Sequence, residues 1–154
     1  MRLTLLTSIF AAILAGCEQD REDVRSRPDD SDIVGLWRGS QIPSGFFDGD
    51  HIPTDPSPTL EIRADGTFVA TDFPLRGGLS SPDGGQSEQA RLWSGQGNWT
   101  LTDGPTPEPE GVWMMNLAGI WVHLSMDDSL LTLVYHISMS HGWRVRYDLQ
   151  GEDE

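Results

Sequence analysis

The chain has 154 residues, a size typical of one domain, and carries 24 Asp and Glu residues against ten Lys and Arg residues, for a formal net charge of −14 at pH 7. This acidity disfavours nucleic acid as a partner, because nucleic-acid binding depends on neutralising phosphates with basic side chains. It also disfavours a domain that lies flat on an anionic lipid surface through basic residues. Cys17 is the single cysteine, which excludes a disulfide within the chain.

The first sixteen residues have the pattern of an export signal. Arg2 precedes an apolar run over residues 3–14, which is shorter than the roughly 20 residues that a spanning helix needs. The run ends at Leu14-Ala15-Gly16-Cys17, which resembles the lipobox of bacterial lipoproteins. The resemblance implies that a signal peptide, 1–16, is removed and that Cys17 carries palmitate-type acyl chains. They would anchor the domain, outside the cytoplasm, to the cell membrane or the outer membrane. A buried N-terminal helix of a cytosolic domain is the alternative.

Residues 17–32 form the next unit and are almost entirely polar. Val24 is the one apolar side chain after the cysteine, apart from a proline. Such a segment buries too little surface to offset its loss of conformational entropy. We therefore expect a disordered acidic tether, with a short charged helix as the alternative.

From residue 33 onward, short alternating segments are separated by turn residues, which is typical of an antiparallel β domain. Asp65-Gly66 predicts a two-residue hairpin turn that pairs Ile62 with Val69. Residues 143–149 alternate apolar and charged side chains and form the last strand, whose apolar odd-numbered positions are expected to face the interior. The sequence predicts an all-β fold, an antiparallel meander β-barrel of about seven or eight strands over 33–150 with an acidic tail, 151–154. A β-sandwich is the alternative.

Short motifs in this region resemble a known family. Gly35-Leu36-Trp37 is similar to the Gly-x-Trp signature of the lipocalins and their calycin relatives, and residues 65–68 and 97–99 are similar to segments of small bacterial lipocalin-like lipoproteins. The resemblance implies that Gly35 and Trp37 close one end of the barrel, with Trp37 packed under Arg144 or Arg146. The alternative is that Trp37 and the later Trp99 are simply core aromatics.

Histidines are the candidate metal ligands, and the chain has four of them, His51, His123, His136 and His141. A two-residue turn at Asp127-Asp128 would pair His123 with Thr132. That register places His136 too far along the strand to share a zinc ion with His123, since zinc–nitrogen bonds are about 2.0–2.1 Å long. We therefore expect surface or cavity-lining histidines and no metal site.

The remaining motifs for catalysis and metal binding are weak. The acidic loop over residues 48–55 does not have the spacing of a calcium-binding loop. Residues 138–141 contain two serines and a histidine, but no nucleophile motif surrounds them. We expect no catalytic residues and no cofactor, and thus a protein that is not an enzyme.

Tryptophan is unusually frequent, with six residues in the chain. They cannot all fill one small core, and aromatic rings with a polar tip suit a ligand-binding cavity. The candidate ligand-binding residues are Trp99, Trp113, Trp121, Tyr135 and Trp143. Two hypotheses follow: a module that binds a small apolar or amphipathic ligand, or a filled barrel that recognises another envelope protein, as an inhibitor or chaperone does.

Overall fold

The computed structural model describes residues 22–24, 26–43, 45–47, 56–85, 89–103, 112–138 and 142–151. Within them the chain forms nine strands and one four-residue helix, α1. In chain order the elements are β1 (Glu22–Asp23), α1 (Asp30–Ile33), β2 (Gly35–Gly39), β3 (Thr59–Ile62), β4 (Thr67–Leu75), β5 (Arg91–Asp103), β6 (Trp113–Leu117), β7 (Ile120–Asp127), β8 (Leu130–Ser138) and β9 (Trp143–Leu149).

Strands β2 to β9 form a closed antiparallel barrel of eight strands. Each strand pairs with the next one in the chain, and β9 pairs back with β2, where Trp37 lies opposite Leu149. The prediction of an all-β meander barrel is confirmed, and the alternative of a sandwich is wrong. Closure leaves none of these eight strands as an open sheet edge, which explains how short, apolar-faced strands remain protected from edge-to-edge pairing.

The strand connections alternate between the two ends of the barrel, because every neighbouring pair is antiparallel. One end, here the α1 end, carries α1, the start of β2 and the β3–β4, β5–β6 and β7–β8 connections. The other, here the loop end, carries the β6–β7 and β8–β9 connections and the two long ones, 40–58 and 76–90. Candidate sites can therefore be assigned to an end from the position of their residues in the strands.

The β3–β4 hairpin differs from the predicted register by one residue. Ile62 pairs with Phe68 rather than Val69, because the turn has three residues and Gly66 adopts a positive φ of 83°. The amide of Gly66 donates to the carbonyl of Arg63, and the amide of Arg63 donates to the carbonyl of Thr67. This is a type I turn followed by a left-handed glycine, the usual three-residue hairpin loop. The shift turns Phe68, rather than Val69, into the core, where it is fully buried.

The predicted tether contains secondary structure where the structure describes it. Strand β1 pairs antiparallel with β7, placing Glu22 opposite Met126, and Val24 accepts a hydrogen bond from the amide of Trp113. Val24 is 7% exposed and belongs to the hydrophobic core, so the one apolar residue of the segment gives it an attachment to the barrel. This finding differs from the expectation of a disordered segment over 17–32.

The predicted signal peptide, 1–16, and Cys17 lie outside the described residues, as do residues 152–154 of the acidic tail. In the part of the chain that is described, no helix has the length and apolar character needed to cross a membrane.

Candidate functional site

Two tryptophans fill the barrel at the α1 end. Trp37 is fully buried, and its indole N–H donates a 2.8 Å hydrogen bond to the carbonyl of Ile33 in α1. Trp99 is 8% exposed, and its indole N–H donates to the carbonyl of Arg63 in the β3–β4 turn at 2.9 Å. Each ring thus places apolar surface in the core and satisfies its polar atom on the backbone that crosses this end.

The arginine expected over Trp37 is engaged elsewhere. Arg146 forms ion pairs with Asp127 and with Asp148, the latter at 2.7 Å, and Arg144 is exposed. Neither arginine contacts Trp37 in the described part of the structure. The reason is the alternation of β9, whose even-numbered positions face outward while Val145 and Tyr147 fill the interior.

At the loop end, three aromatic side chains form what we call the tyrosine cluster: Phe73, Tyr135 and Tyr147. The ring centroids of Phe73 and Tyr135 are 4.8 Å apart, and those of Phe73 and Tyr147 are 6.0 Å apart in a stacked arrangement. Tyr135 is 4% exposed and Tyr147 is fully buried. Both tyrosines lie on the inward faces of neighbouring strands, since Tyr147 pairs with Leu133, two positions from Tyr135.

Both phenol hydroxyls of the tyrosine cluster are buried, and neither has a hydrogen-bond partner in the described part of the structure. Burial raises the pKa of Tyr135 to about 12, against smaller opposing effects of the positive charge on Arg76 and of the Arg76 backbone, which lies near the hydroxyl without completing a hydrogen bond of normal geometry. Burial also raises the pKa of Tyr147 well above its ordinary value, and nearby Tyr135 adds to that effect. Unpaired buried hydroxyls are costly and uncommon in folded proteins, so this pair marks the interior of the loop end as a candidate binding site.

A polar network fixes the β4–β5 connection at the same end. Ser81 donates a short hydrogen bond to Asp83, and this bond, followed by one from the amide of Gly85, lowers the pKa of Asp83. Arg91 donates to the carbonyl of Gly85 at 2.9 Å, while its second terminal nitrogen, Nη1, is buried without a partner among the described residues. The indole of Trp93 donates to Asp83 at 3.4 Å, which ties the network to the core.

The four predicted ligand-binding residues whose side chains the structure describes do not converge. Trp99 lies at the α1 end, Trp113 is half-buried at the start of β6, and Trp121 is 37% exposed on the outer wall. Tyr135 belongs to the tyrosine cluster, and the side chain of Trp143 lies outside the described residues. Ligand binding by these residues therefore stays a prediction, whereas the alternation of β9 places Tyr147 inside the barrel, where it is fully buried.

The sequence-based expectation for the histidines is wrong in one respect. The β7–β8 turn is formed by Asp128 and Ser129, so His123 pairs with Val134 rather than Thr132. This register brings the rings of His123 and His136 into an edge-on contact with centroids 4.8 Å apart. No group of three or more His, Cys, Asp or Glu side chains within the described residues could hold a metal ion.

Several weak candidates cannot be placed. His51 and His141 lie outside the described residues, as do most of the acidic loop over 48–55 and residues 139–141.

A cleft of about 870 Å³ lies at the α1 end, outside the barrel interior. It runs between residues 24–32, the β7–β8 hairpin and the end of β9. Its apolar lining includes Val24, Met126, Leu130 and Leu149, and Arg146 with Asp148 supplies charge. We call it the α1-end cleft.

Comparison of the chain with protein-family models, with curated proteins and with solved structures finds no significant match.

Proposed function

We propose that this protein is a membrane-anchored envelope lipoprotein whose barrel binds a small amphipathic ligand at the loop end. The observation that carries the ligand proposal is the pair of buried, unpartnered hydroxyls of Tyr135 and Tyr147. Both phenols are neutral at physiological pH, as tyrosine ordinarily is, so each can donate one hydrogen bond and accept others. The anchor rests on the lipobox-like sequence that ends at Cys17.

The chemistry of the tyrosine cluster selects an uncharged polar group on the ligand. Phe73 and the two phenol rings present apolar surface, while the hydroxyls offer hydrogen bonds within it. A full charge brought into such an apolar environment would lose its hydration without a counter-ion. A hydroxyl, carbonyl or protonated carboxyl group on an apolar body fits these contacts better.

The test is native mass spectrometry of the full-length chain purified in mild detergent from membranes of an expressing bacterium. We expect one small-molecule adduct per chain. We expect the double variant Tyr135→Phe/Tyr147→Phe to lose it, because the variant removes the two hydroxyls that would bind the ligand and leaves both rings in place. The control is Trp121→Phe, which changes an exposed ring on the outer wall. Equal adducts in wild type and in the double variant would contradict the proposed site.

The anchor is tested separately. Cys17→Ser removes the only thiol and with it the proposed acylation. We expect the wild type in the membrane fraction with added acyl mass and the variant either unprocessed or released. Identical masses and identical fractionation would refute the anchor without affecting the ligand proposal.

The second candidate is an envelope protein-interaction module with a filled barrel. Trp121, which is 37% exposed on the outer wall, favours it, because exposed tryptophan is typical of protein-binding surfaces. Absence of any adduct, together with loss of a co-purifying protein in Trp121→Ala, would select this function over ligand binding.

A further inference from the structure

Large apolar side chains are exposed at the α1 end of the barrel. Leu130 is 68% exposed at the start of β8, and Leu149, at the end of β9, is 41% exposed; both line the α1-end cleft. Leu36 is 43% exposed on neighbouring β2, where its carbonyl accepts a hydrogen bond from the amide of Gln150. Single exposed leucines are ordinary, but leucines grouped around a partly apolar cleft mark an interaction surface.

The path of the chain connects this surface to the proposed anchor. In the antiparallel pair of β1 and β7, Glu22 lies opposite Met126 and Asp23 opposite Ser125, so the N-terminal end of β1 lies on the side of the β7–β8 turn. Five residue steps separate Glu22 from Cys17. At about 3.3–3.6 Å for each step, the acylated residue stays within about 18 Å of Glu22, which itself lies near that turn.

We propose that the α1 end rests on the bilayer itself, with Leu130 inserted into the lipid interface and the apolar wall of the α1-end cleft facing the acyl chains. The proposal rests on the proposed anchor at Cys17, which brings this end and no other to the membrane. An apolar patch held at a membrane surface gains further binding from each side chain that it inserts. The loop end, with the tyrosine cluster, then points away from the bilayer.

Charge selects the type of lipid surface. Acidic residues outnumber basic ones around the cleft. Asp32 and Asp148 line it together with Arg146, and Asp29 and Asp30 begin α1, where Asp30 pairs with Arg27. Anionic lipids carry a negative surface potential that repels such a face. The partner that fits is therefore a zwitterionic lipid interface, and added anionic lipid should weaken insertion.

The experiment places a fluorescent thiol label next to Leu130 in the otherwise intact full chain. Ser129→Cys is exposed in the β7–β8 turn, and Ser80→Cys, at the loop end, is the matched control because Ser80 is exposed as well. The acylated protein is reconstituted into phosphatidylcholine vesicles with brominated acyl chains, which quench only on contact. We expect loss of emission at position 129 and none at position 80. Leu130→Asp should abolish the quenching at 129.

A second arm keeps the result independent of acylation. Cys17→Ser chains with a hexahistidine tag before residue 18 are held on vesicles that contain nickel-chelating lipid. Quenching at position 129 in this arm supports insertion of the α1 end into the lipid interface, even if membrane fractionation has refuted the acyl anchor at Cys17. Equal quenching at 129 and 80, no quenching at 129 in bound protein, or quenching unchanged by Leu130→Asp would overturn the proposal.

Discussion

Removing one buried hydroxyl tests whether the interior of the loop end is built for a ligand. Tyr147 is fully buried and its hydroxyl has no hydrogen-bond partner among the described residues, so folding of the empty protein carries the cost of desolvating that group. For a buried, unpaired hydroxyl this cost is about 1–3 kcal/mol. Tyr147→Phe keeps the stacked ring that contacts Phe73 and deletes only the oxygen. We therefore expect the ligand-free variant to be more stable than the ligand-free wild type by about that amount.

The assay is urea unfolding of both proteins after the ligand has been removed by denaturing extraction and refolding. A gain of this size should also raise the midpoint of thermal unfolding, by roughly 4 °C for each kcal/mol in a domain of this length. With ligand bound, the sign reverses, because Tyr147→Phe then loses a hydrogen bond of about 0.5–1.5 kcal/mol. A variant that is less stable in both states would refute the reasoning, since it would mean that the hydroxyl has a partner within the protein.

Alkaline titration examines the same two groups without a mutation. The chain has two tyrosines, Tyr135 and Tyr147, and burial raises the pKa of both. A pKa that is higher in the folded state than in the unfolded state stabilises the fold below pH 10, and this contribution is lost as the pH rises from 10 through the folded value. For Tyr135, a shift from 10 to about 12 corresponds to about 2–3 kcal/mol. Absorbance at 295 nm should therefore stay flat near pH 10 and rise only together with unfolding; an ordinary titration at pH 10 in folded protein would contradict this.

Two further substitutions examine the barrel wall. Gly97→Ala should destabilise the fold by about 1–3 kcal/mol, because its new Cβ would lie 2.8 Å from the ring of Phe68, and an unchanged urea midpoint would show that the wall has room there. Arg146→Ala should cost about 1–3 kcal/mol, because it removes the ion pair with the 6% exposed carboxylate of Asp127. Arg63→Ala, in an exposed pair, should cost less than Arg146→Ala, and equal losses would contradict the role of burial.

The strand pattern was readable from the sequence because side-chain alternation in a half-buried strand is set by geometry. The odd positions of β9 were expected to point inward, and Val145 and Tyr147 are fully buried, whereas Leu149, at the end of the strand, is 41% exposed. The turns were harder to predict, because moving or lengthening a turn by one residue changes the free energy of the hairpin little but shifts the register of every residue pair in its two strands. The three-residue turn at Gly66 moved Phe68 opposite Ile62, and the turn at Asp128 and Ser129 moved His123.

The candidate site was harder to predict than the fold, since it is defined by buried hydroxyls that have no hydrogen-bond partner among the described residues. No property of the residue type distinguishes Tyr135, whose hydroxyl is orphaned, from a tyrosine that donates to a nearby carbonyl. That difference arises from the three-dimensional arrangement of β4, β8 and β9 around Phe73. The tryptophan count carries no such information, because both buried indoles at the α1 end already have carbonyl partners.

The contrast between the two ends of the barrel has a physical consequence for how the molecule is oriented. At the α1 end, the indoles of Trp37 and Trp99 donate to carbonyls of the chain itself, so the interior there is complete without any added molecule. At the loop end, the buried hydroxyls of Tyr135 and Tyr147 have no hydrogen-bond partner among the described residues. A membrane contact needs a sealed interior behind it, because an open barrel mouth on lipid would expose unpaired polar groups to acyl chains. A binding site needs the opposite, access from water. The sealed end is the one at which β1 pairs with β7, so the proposed anchor at Cys17 would turn the loop end, with the tyrosine cluster, toward the aqueous phase.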